Sequence, residues 1–400
     1  MDKKMVPKVR FKGFTDDWEQ LELSKMVDVY DGTHQTPKYQ KSGIMFLSVE
    51  NIKTLKSNKY ISKEDFEQDF KVYPQKGDIL MTRIGDIGTA NMTQINDPVA
   101  YYVSLALIKP FKINSNFLTF SISSDSVQRD LWKRTLHVAF PKKINKNEIG
   151  KIQISFPNES EQISIGKILI LVSECITLQQ QQLNLYIKLK KGLLQKLFPK
   201  NGEMVPEIRF ADFTGDWEQH KLGTLIVPFN KTTTINNQYP VLTSSRKGLF
   251  FQTDYYDGNQ IASKNNIGYN IVPRGYFTYR HMSDDLIFKF NINNLVDNGI
   301  VSTLYPVFTV NNKLDSEYLK YQLNDGEEFK RFAITQKQGG SRTYMYLSKL
   351  KKLLLTIPNL DEQVEISNFL DSLNSVINLQ QEKLNELEAL KKYLLQKLFI

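Results

Sequence analysis

The sequence is poor in the side chains that most metal and redox chemistry requires. It has one cysteine, Cys175, and four histidines, His34, His137, His220 and His281. A lone cysteine excludes an internal disulfide and any cysteine-based zinc site. The scattered histidines offer no metal-ligand spacing. No G-x-x-x-x-G-K-[ST] run is present to cradle a phosphate, and no G-x-G-x-x-G. Gly85 and Gly88 match the second pattern only in part and read as a hairpin turn. The Asn-Pro-Pro-aromatic run with which base-methylating enzymes hold a flipped adenine is also missing. Glu328-Phe-Lys330 resembles the tail of a nuclease E-x-K without its upstream Pro-Asp, and reads as solvated helix. His281, beside Arg280, has no nucleophile to serve. No stretch approaches the roughly 18 apolar residues of a membrane span. The start, MDKKMVPKVRF, lacks the apolar run of a signal peptide. The expectation is a cytoplasmic protein without catalytic residues, bound metal or cofactor of its own.

What is present is duplication. MVPKVRFKGFTDDWEQ from Met5 returns as MVPEIRFADFTGDWEQ from Met204, identical at 11 of 16 positions at an offset of 199. FPNESEQ from Phe156 returns as IPNLDEQ from Ile357, and LLQKLF at Leu193–Phe198 returns at Leu394–Phe399, both offset by 201. A period of this size makes the repeated unit a whole domain with its helix, not a solenoid turn. Residues 21–155 and 220–356 share almost nothing. Two copies thus keep their frames and differ in their contents.

Aromatic residues make up 12% of the chain and charged residues 24%, which argues for ordered globular domains. The net charge of +9 is uneven. Residues 1–200 hold 30 Lys+Arg against 21 Asp+Glu, and residues 201–400 hold 22 of each. Both halves nevertheless carry a local basic tract before the repeated proline. Residues 129–151 hold seven Lys/Arg against Asp130 and Glu148, and residues 329–352 hold seven with no acid. One such tract is ordinarily a solvated face. The same tract in both copies is an electrostatic footprint for nucleic acid.

Residues 159–199 and 359–400 read as long helices. Apolar residues alternate at spacings of four and three along Ile165, Leu169, Val172, Ile176 and Leu183, and along Ile366, Leu370, Leu373, Ile377 and Leu384. That spacing is a coiled-coil seam. Gln179 and Gln380 interrupt it at matching positions, as register-setting polar residues do. Asn158 and Asn359 are expected N-caps, with Glu161 and Glu362 in capping-box position. Between the frames lie two α+β segments, 1–158 and 200–358 being the expected globular domains. GDILMTRIGDIGTANM predicts a hairpin, YYVSLALIKP a buried strand, and residues 115–136 and 316–333 one helix each.

The duplicated RF-x-x-F-T-x-x-W signature, DGTHQTPKY at Asp31–Tyr39, the PN-x-x-EQ helix starts, QGGSRTYM at Gln338–Met345 and the LLQKLF closures resemble the specificity subunit of type I restriction-modification systems. The resemblance spans the chain. It implies two target-recognition domains, each reading half of a bipartite, asymmetric DNA site, on two long antiparallel helices that set the gap. It also implies a non-catalytic subunit that recruits two modification and two restriction subunits. Those partners would supply S-adenosylmethionine, ATP and magnesium for adenine methylation and DNA cleavage. Candidate DNA contacts in the first domain are Thr33, His34, Gln35, Thr36, Lys38, Arg83, Lys142 and Lys143. In the second they are Thr243, Ser244, Ser245, Arg246, Lys247, Arg274, Arg280, Gly339, Gly340, Ser341, Arg342 and Tyr344. The side-chain types suit phosphate contact and major-groove pairing. A Thr/His-capped turn before Pro37 is a good explanation of THQTP on its own, and a two-headed scaffold for a peptide or glycan remains the alternative for the whole chain.

Overall fold

Trp18 and Trp217, the anchors of the duplicated motif, are buried at the start of short strands. The strand after Trp18, Glu19–Glu22, pairs antiparallel with Gln153–Phe156, and Glu218–Lys221 pairs with Leu354–Ile357. The computed structural model describes residues 5–200, 202–258, 265–337 and 342–400. The chain forms two units, residues 1–181 with 381–400, and residues 182–380.

In the first unit a four-stranded antiparallel sheet runs in the order Val27–Asp31, Leu105–Pro110, Ile79–Ile84, Asp86–Met92. The period-two alternation of a strand sorts its side chains onto two faces. Ile79, Met81, Ala106 and Ile108 join a core with Phe117, Leu118, Ile165 and Leu169. Leu80, Leu105 and Leu107 join a second core with Phe46 and Tyr101. Both faces are covered, so these strands read as continuous apolar runs rather than as alternating ones. YYVSLALIKP holds two strands, Val99–Tyr101 and Leu105–Pro110, not one. In the second unit the corresponding sheet is Ile226–Pro228, Val307–Val310, Phe277–Tyr279, Phe290–Ile292, with Phe277 stacked on Phe308 at 4.8 Å.

Each of the two expected single helices is broken. Ser115–Ile122 and Asp125–Arg134 flank Ser123-Ser124, and Ser316–Asp325 and Glu327–Thr335 flank Gly326. The backbone turns extended at Gly326, and only glycine fits there, because a Cβ would stand 2.4 Å from the carbonyl oxygen of Gln322.

The long helices are Glu159–Lys196 and Leu360–Lys397. The Asn158 side chain accepts the Glu161 N–H at 3.0 Å, and Asn359 accepts that of Glu362 at 2.9 Å. The capping box is only half formed, because each glutamate is taken by an arginine. Glu161 accepts from Arg10 Nε and Nη2 at 2.8 and 2.7 Å, and Glu362 from Arg209 Nε and Nη2 at 2.7 Å each. Gln162 accepts the Asn114 N–H and donates to the Pro157 carbonyl, while Gln363 does the same with Asp315 and Pro358. The repeated Arg-Phe and Glu-Gln pairs are therefore two sides of one joint, made once in each unit.

The LLQKLF closures are plugs. Leu394, Leu395, Leu398 and Phe399 pack into the first unit's core, Phe399 lying 5.4 Å from Phe117. The Val9 N–H donates to the Lys397 carbonyl there at 2.9 Å. In the second unit Leu193, Leu194, Leu197 and Phe198 play this part, with Phe198 5.7 Å from Tyr318. Along the predicted seam Ile165, Leu169, Val172, Gln179, Leu183, Ile366, Leu370, Leu373 and Leu384 are buried, and Ile176, Ile377 and Gln380 are half-buried.

Candidate nucleic-acid interface

Six of the predicted residues of the second unit, Thr243, Ser244, Ser245, Arg246, Lys247 and Arg280, line a concavity of about 420 Å³. Its walls are residues 243–247, from the hairpin of Leu242–Ser245 and Gly248–Phe251, with Arg280, residues 282–284 and 287–289, Tyr255, Tyr256 and Tyr305. The hydroxyls of the hairpin turn inward. Thr243 accepts from Gln252, Ser244 donates to the Thr278 carbonyl and accepts from Asn291, and Ser245 accepts the Lys247 N–H. They shape the turn that lifts Arg246 and Lys247 to the surface.

The arginines divide by which donors are already engaged. Arg246 gives both terminal nitrogens to Asp285, at 2.9 and 2.6 Å. That bond, with one from Ser283, lowers the Asp285 carboxyl to about 2. Arg274 donates Nε to Asp297, Nη1 to the Asn294 carbonyl and Nη2 to that of Leu295, away from the concavity. Arg280 is exposed on the concave wall and makes no ion pair among the described residues. Arg342 bonds Asp284 through Nε alone, at 3.0 Å, with its side chain 54% exposed. Both of its terminal nitrogens are without partners among the described residues.

Tyr344 follows on the strand Thr343–Tyr344, which pairs with Met282–Ser283. Its ring lies parallel to Tyr346 at 5.8 Å, and Tyr346 stacks on His281 at 4.9 Å. His281 is buried and bonded to the Leu304 carbonyl, which accounts for it structurally. Gly339, Gly340 and Ser341 lie outside the described residues. Sequence reasoning did not single out Tyr255, Tyr256, Tyr305 or Lys289, all of which line this concavity. Burial lowers the Lys289 amine below its usual range.

In the first unit the loop Thr33–Lys38 is a capped turn. Thr33 Oγ1 accepts the Gln35 N–H, and His34, Gln35, Thr36 and Lys38 stand exposed. Gly32 precedes it because any Cβ there would meet the Tyr101 carbonyl oxygen at 2.5 Å. Arg83 is buried, 6% exposed, paired with Asp31 and donating Nε to the Ile144 carbonyl. It ties the root of the Thr33–Lys38 loop to the end of the loop carrying Lys142 and Lys143, and so positions both. Lys142 lies over the Trp132 ring at 4.6 Å, and Lys143 is exposed. Trp132 is itself exposed, unlike the other two tryptophans.

The nuclease-like pair is structural. Glu328 is half-buried and accepts from Thr356 N and Oγ1, and Lys330 pairs with Glu327. Burial raises the Glu328 carboxyl against the lowering effect of those bonds. The turn at Gly85 joins Ile79–Ile84 to Asp86–Met92 as a hairpin whose register shifts between Met81 and Arg83. Among the described residues no helix is long and apolar enough to cross a membrane, and no group of three or more His, Cys, Asp or Glu could hold a metal ion.

A family model described as the type I restriction modification DNA specificity domain matches residues 15–189 and again 214–389. Among curated proteins, the type I restriction enzyme MjaVIII specificity subunit of Methanocaldococcus jannaschii is 22% identical over 62% of this chain. That match spans 61% of the relative's own length. The putative MjaX specificity subunit of the same organism is 24% identical, over 94% of this chain and 91% of its own. Among solved structures, a type I restriction-modification S subunit from M. genitalium superposes with a TM-score of 0.63 at 12% identity, covering 99% of both chains. A structure concerned with complex assembly and conformational transition of the type I system gives 0.50 at 15% identity, covering 96% of this chain and 97% of that one. At such identities the structural likeness speaks for a shared mixed α/β fold. Because the two matched segments take in most of its length, the chain belongs to the family of type I restriction-modification specificity subunits.

Proposed function

We propose that this chain is the non-catalytic, sequence-reading subunit of a type I assembly. Residues 1–158 and 200–358 are target-recognition domains, each reading half of a bipartite, asymmetric site. Residues 159–199 and 359–400 form an antiparallel coiled coil that sets the spacer; the burial of both seams supports this. Two modification subunits bring S-adenosylmethionine for adenine methylation, and two restriction subunits bring ATP and magnesium for cleavage.

The observation that carries the proposal is Arg342, bonded to Asp284, which lines the second unit's concavity. Arg342 is steered by Asp284 through Nε and keeps two terminal nitrogens unengaged. That is the donor pair a bidentate contact to guanine O6 and N7 requires. Lys247 and Arg280 flank it as phosphate contacts, and Lys38, Lys142 and Lys143 serve the first unit. Arg83 and Arg274 act as positioning residues, since their donors are already engaged.

The test is modular exchange followed by methylome mapping. Replacing residues 21–155 with the equivalent segment of a related subunit is expected to change one half of the methylated sequence and spare the other. Simultaneous change of both halves would refute independent reading. A chain that binds peptides or glycans instead would show no salt-sensitive retention on duplex DNA.

A further inference from the structure

The loop between Asp125–Arg134 and the strand Gln153–Phe156 has a fixed base and an apolar tip. At the base, the Leu136 N–H donates to the Lys143 carbonyl at 2.8 Å, the Gly85 N–H to the Lys142 carbonyl at 2.8 Å, and the Ile144 N–H to the Arg83 carbonyl at 3.0 Å. The His137 ring packs tilted against Trp132, centroids 4.1 Å apart, with its ring nitrogen 2.8 Å from the Trp132 carbonyl. Beyond this base, Val138 is 98% and Phe140 104% exposed. No neighbour among the described residues shields either.

An exposed phenylalanine holds its apolar ring surface in water, and burying that surface against another apolar group is favourable. The tip is one ring wide, far below the ~1,000 Å² that a stable protein interface buries. Its surroundings are cationic. Lys133, Lys142, Lys143 and Lys146 are exposed; Asp130 and Glu148 are paired with Arg134 and Lys151, and the exposed Asp86 is the acid that shares a recess with Trp132 and Lys142. A small apolar tip, Val138 and Phe140, on a hydrogen-bonded base among lysines has the size and charge setting for one occupant, a step between stacked base pairs. Wedges of this kind are Phe, Leu, Ile, Met or Pro, and they partly unstack the step they enter.

We propose that Phe140, with Val138 beside it, inserts at a base step of the bound duplex while Lys142 and Lys143 hold the flanking phosphates. The first unit would then read its half-site partly through how readily one step opens, a contribution independent of hydrogen bonds to base edges. This rests on the DNA-reading function proposed above.

The experiment uses the full chain, alone and with its modification partner, on a duplex carrying its own methylated sequence. 2-Aminopurine is placed at successive positions of one half-site. The unaltered chain is expected to brighten the probe at one step. Phe140→Ala should abolish that rise and weaken binding about 5- to 150-fold, the equivalent of about 1–3 kcal/mol of stacking at tenfold per 1.4 kcal/mol. Phe140→Leu should keep part of both effects. Because the side chain is fully exposed, circular dichroism and melting should not change. Tight, salt-sensitive binding with no bright position, or equal affinity of Phe140→Ala, overturns the wedge and leaves DNA reading intact. Failure of the unaltered chain to prefer its own duplex, alone or with its partner, overturns both.

Discussion

Replacing Arg342 by alanine isolates base reading from folding. Its ion-pair partner Asp284 is 71% exposed at the side chain, so removing the arginine strands no buried charge. Stability should therefore change by less than about 0.5 kcal/mol, as surface substitutions do. Binding should lose the bidentate contact, about 1–3 kcal/mol, or roughly 5- to 150-fold at tenfold per 1.4 kcal/mol. The loss should fall on one base pair of the second domain's half-site. A competition assay with duplexes carrying 7-deazaguanine measures this directly, because that base lacks the N7 acceptor. The unaltered chain should lose affinity on one substituted guanine only, and Arg342→Ala should be indifferent to that guanine. Asp284→Ala provides the contrary sign. It removes a negative charge near the phosphates, so non-specific affinity should rise while discrimination at the same base pair falls. Equal sensitivity of Arg342→Ala and the unaltered chain to every 7-deazaguanine would refute the assignment.

Arg10→Ala should destabilise the first unit by about 3–5 kcal/mol, because Glu161 is left wholly buried without its partner. Urea unfolding measures the loss, and Arg10→Met combined with Glu161→Met should recover most of it. Glu328→Gln tests the buried carboxyl on the second unit's helix. A carboxyl raised in the folded state stabilises fully below its unfolded value, about 4.3, and that stabilisation is lost as pH rises through the folded value. The glutamine variant should thus gain on the unaltered chain as pH rises above about 4, and a pH-independent difference in melting would contradict this. Inserting four residues between Gln181 and Leu183 adds about 6 Å of helix at ~1.5 Å per residue. That is under two base pairs at ~3.4 Å each, and a four-residue stutter is tolerated by a heptad seam. Methylome mapping should then report a spacer longer by one or two base pairs with both half-sites unchanged.

The frames were legible because they are written twice, and their helices because the seam repeats over many turns. The joint inside each frame was not. Arg10 and Glu161 lie 151 residues apart, and no local pattern pairs them. Capping rules instead assigned Glu161 to its own helix start. Among the site residues, side-chain type indicated basic and hydroxyl-bearing loops but not direction. Ser244 and Arg83 point inward because strand alternation and ion pairing place them there, while Arg342 and Lys247 reach solvent. Trp132 and Phe140 escaped notice for the opposite reason. Aromatic residues read as core from sequence, and only the fold exposes these two. The apolar HVAF between Arg134 and Lys142 was the available signal.

The plug formed by Leu394, Leu398 and Phe399 carries a consequence for synthesis. The second unit is built from one continuous stretch, residues 182–380, whereas the first needs residues from 381 onward. A ribosome therefore supplies everything for the second unit before the first can close its core. At ~5–20 residues per second, the roughly 200 intervening residues correspond to about 10–40 s. During that interval Phe117 and its neighbours lack the aromatic ring that covers them in the finished protein, and a chaperone that shields apolar surface would find its client there. The unit translated first is the one completed last.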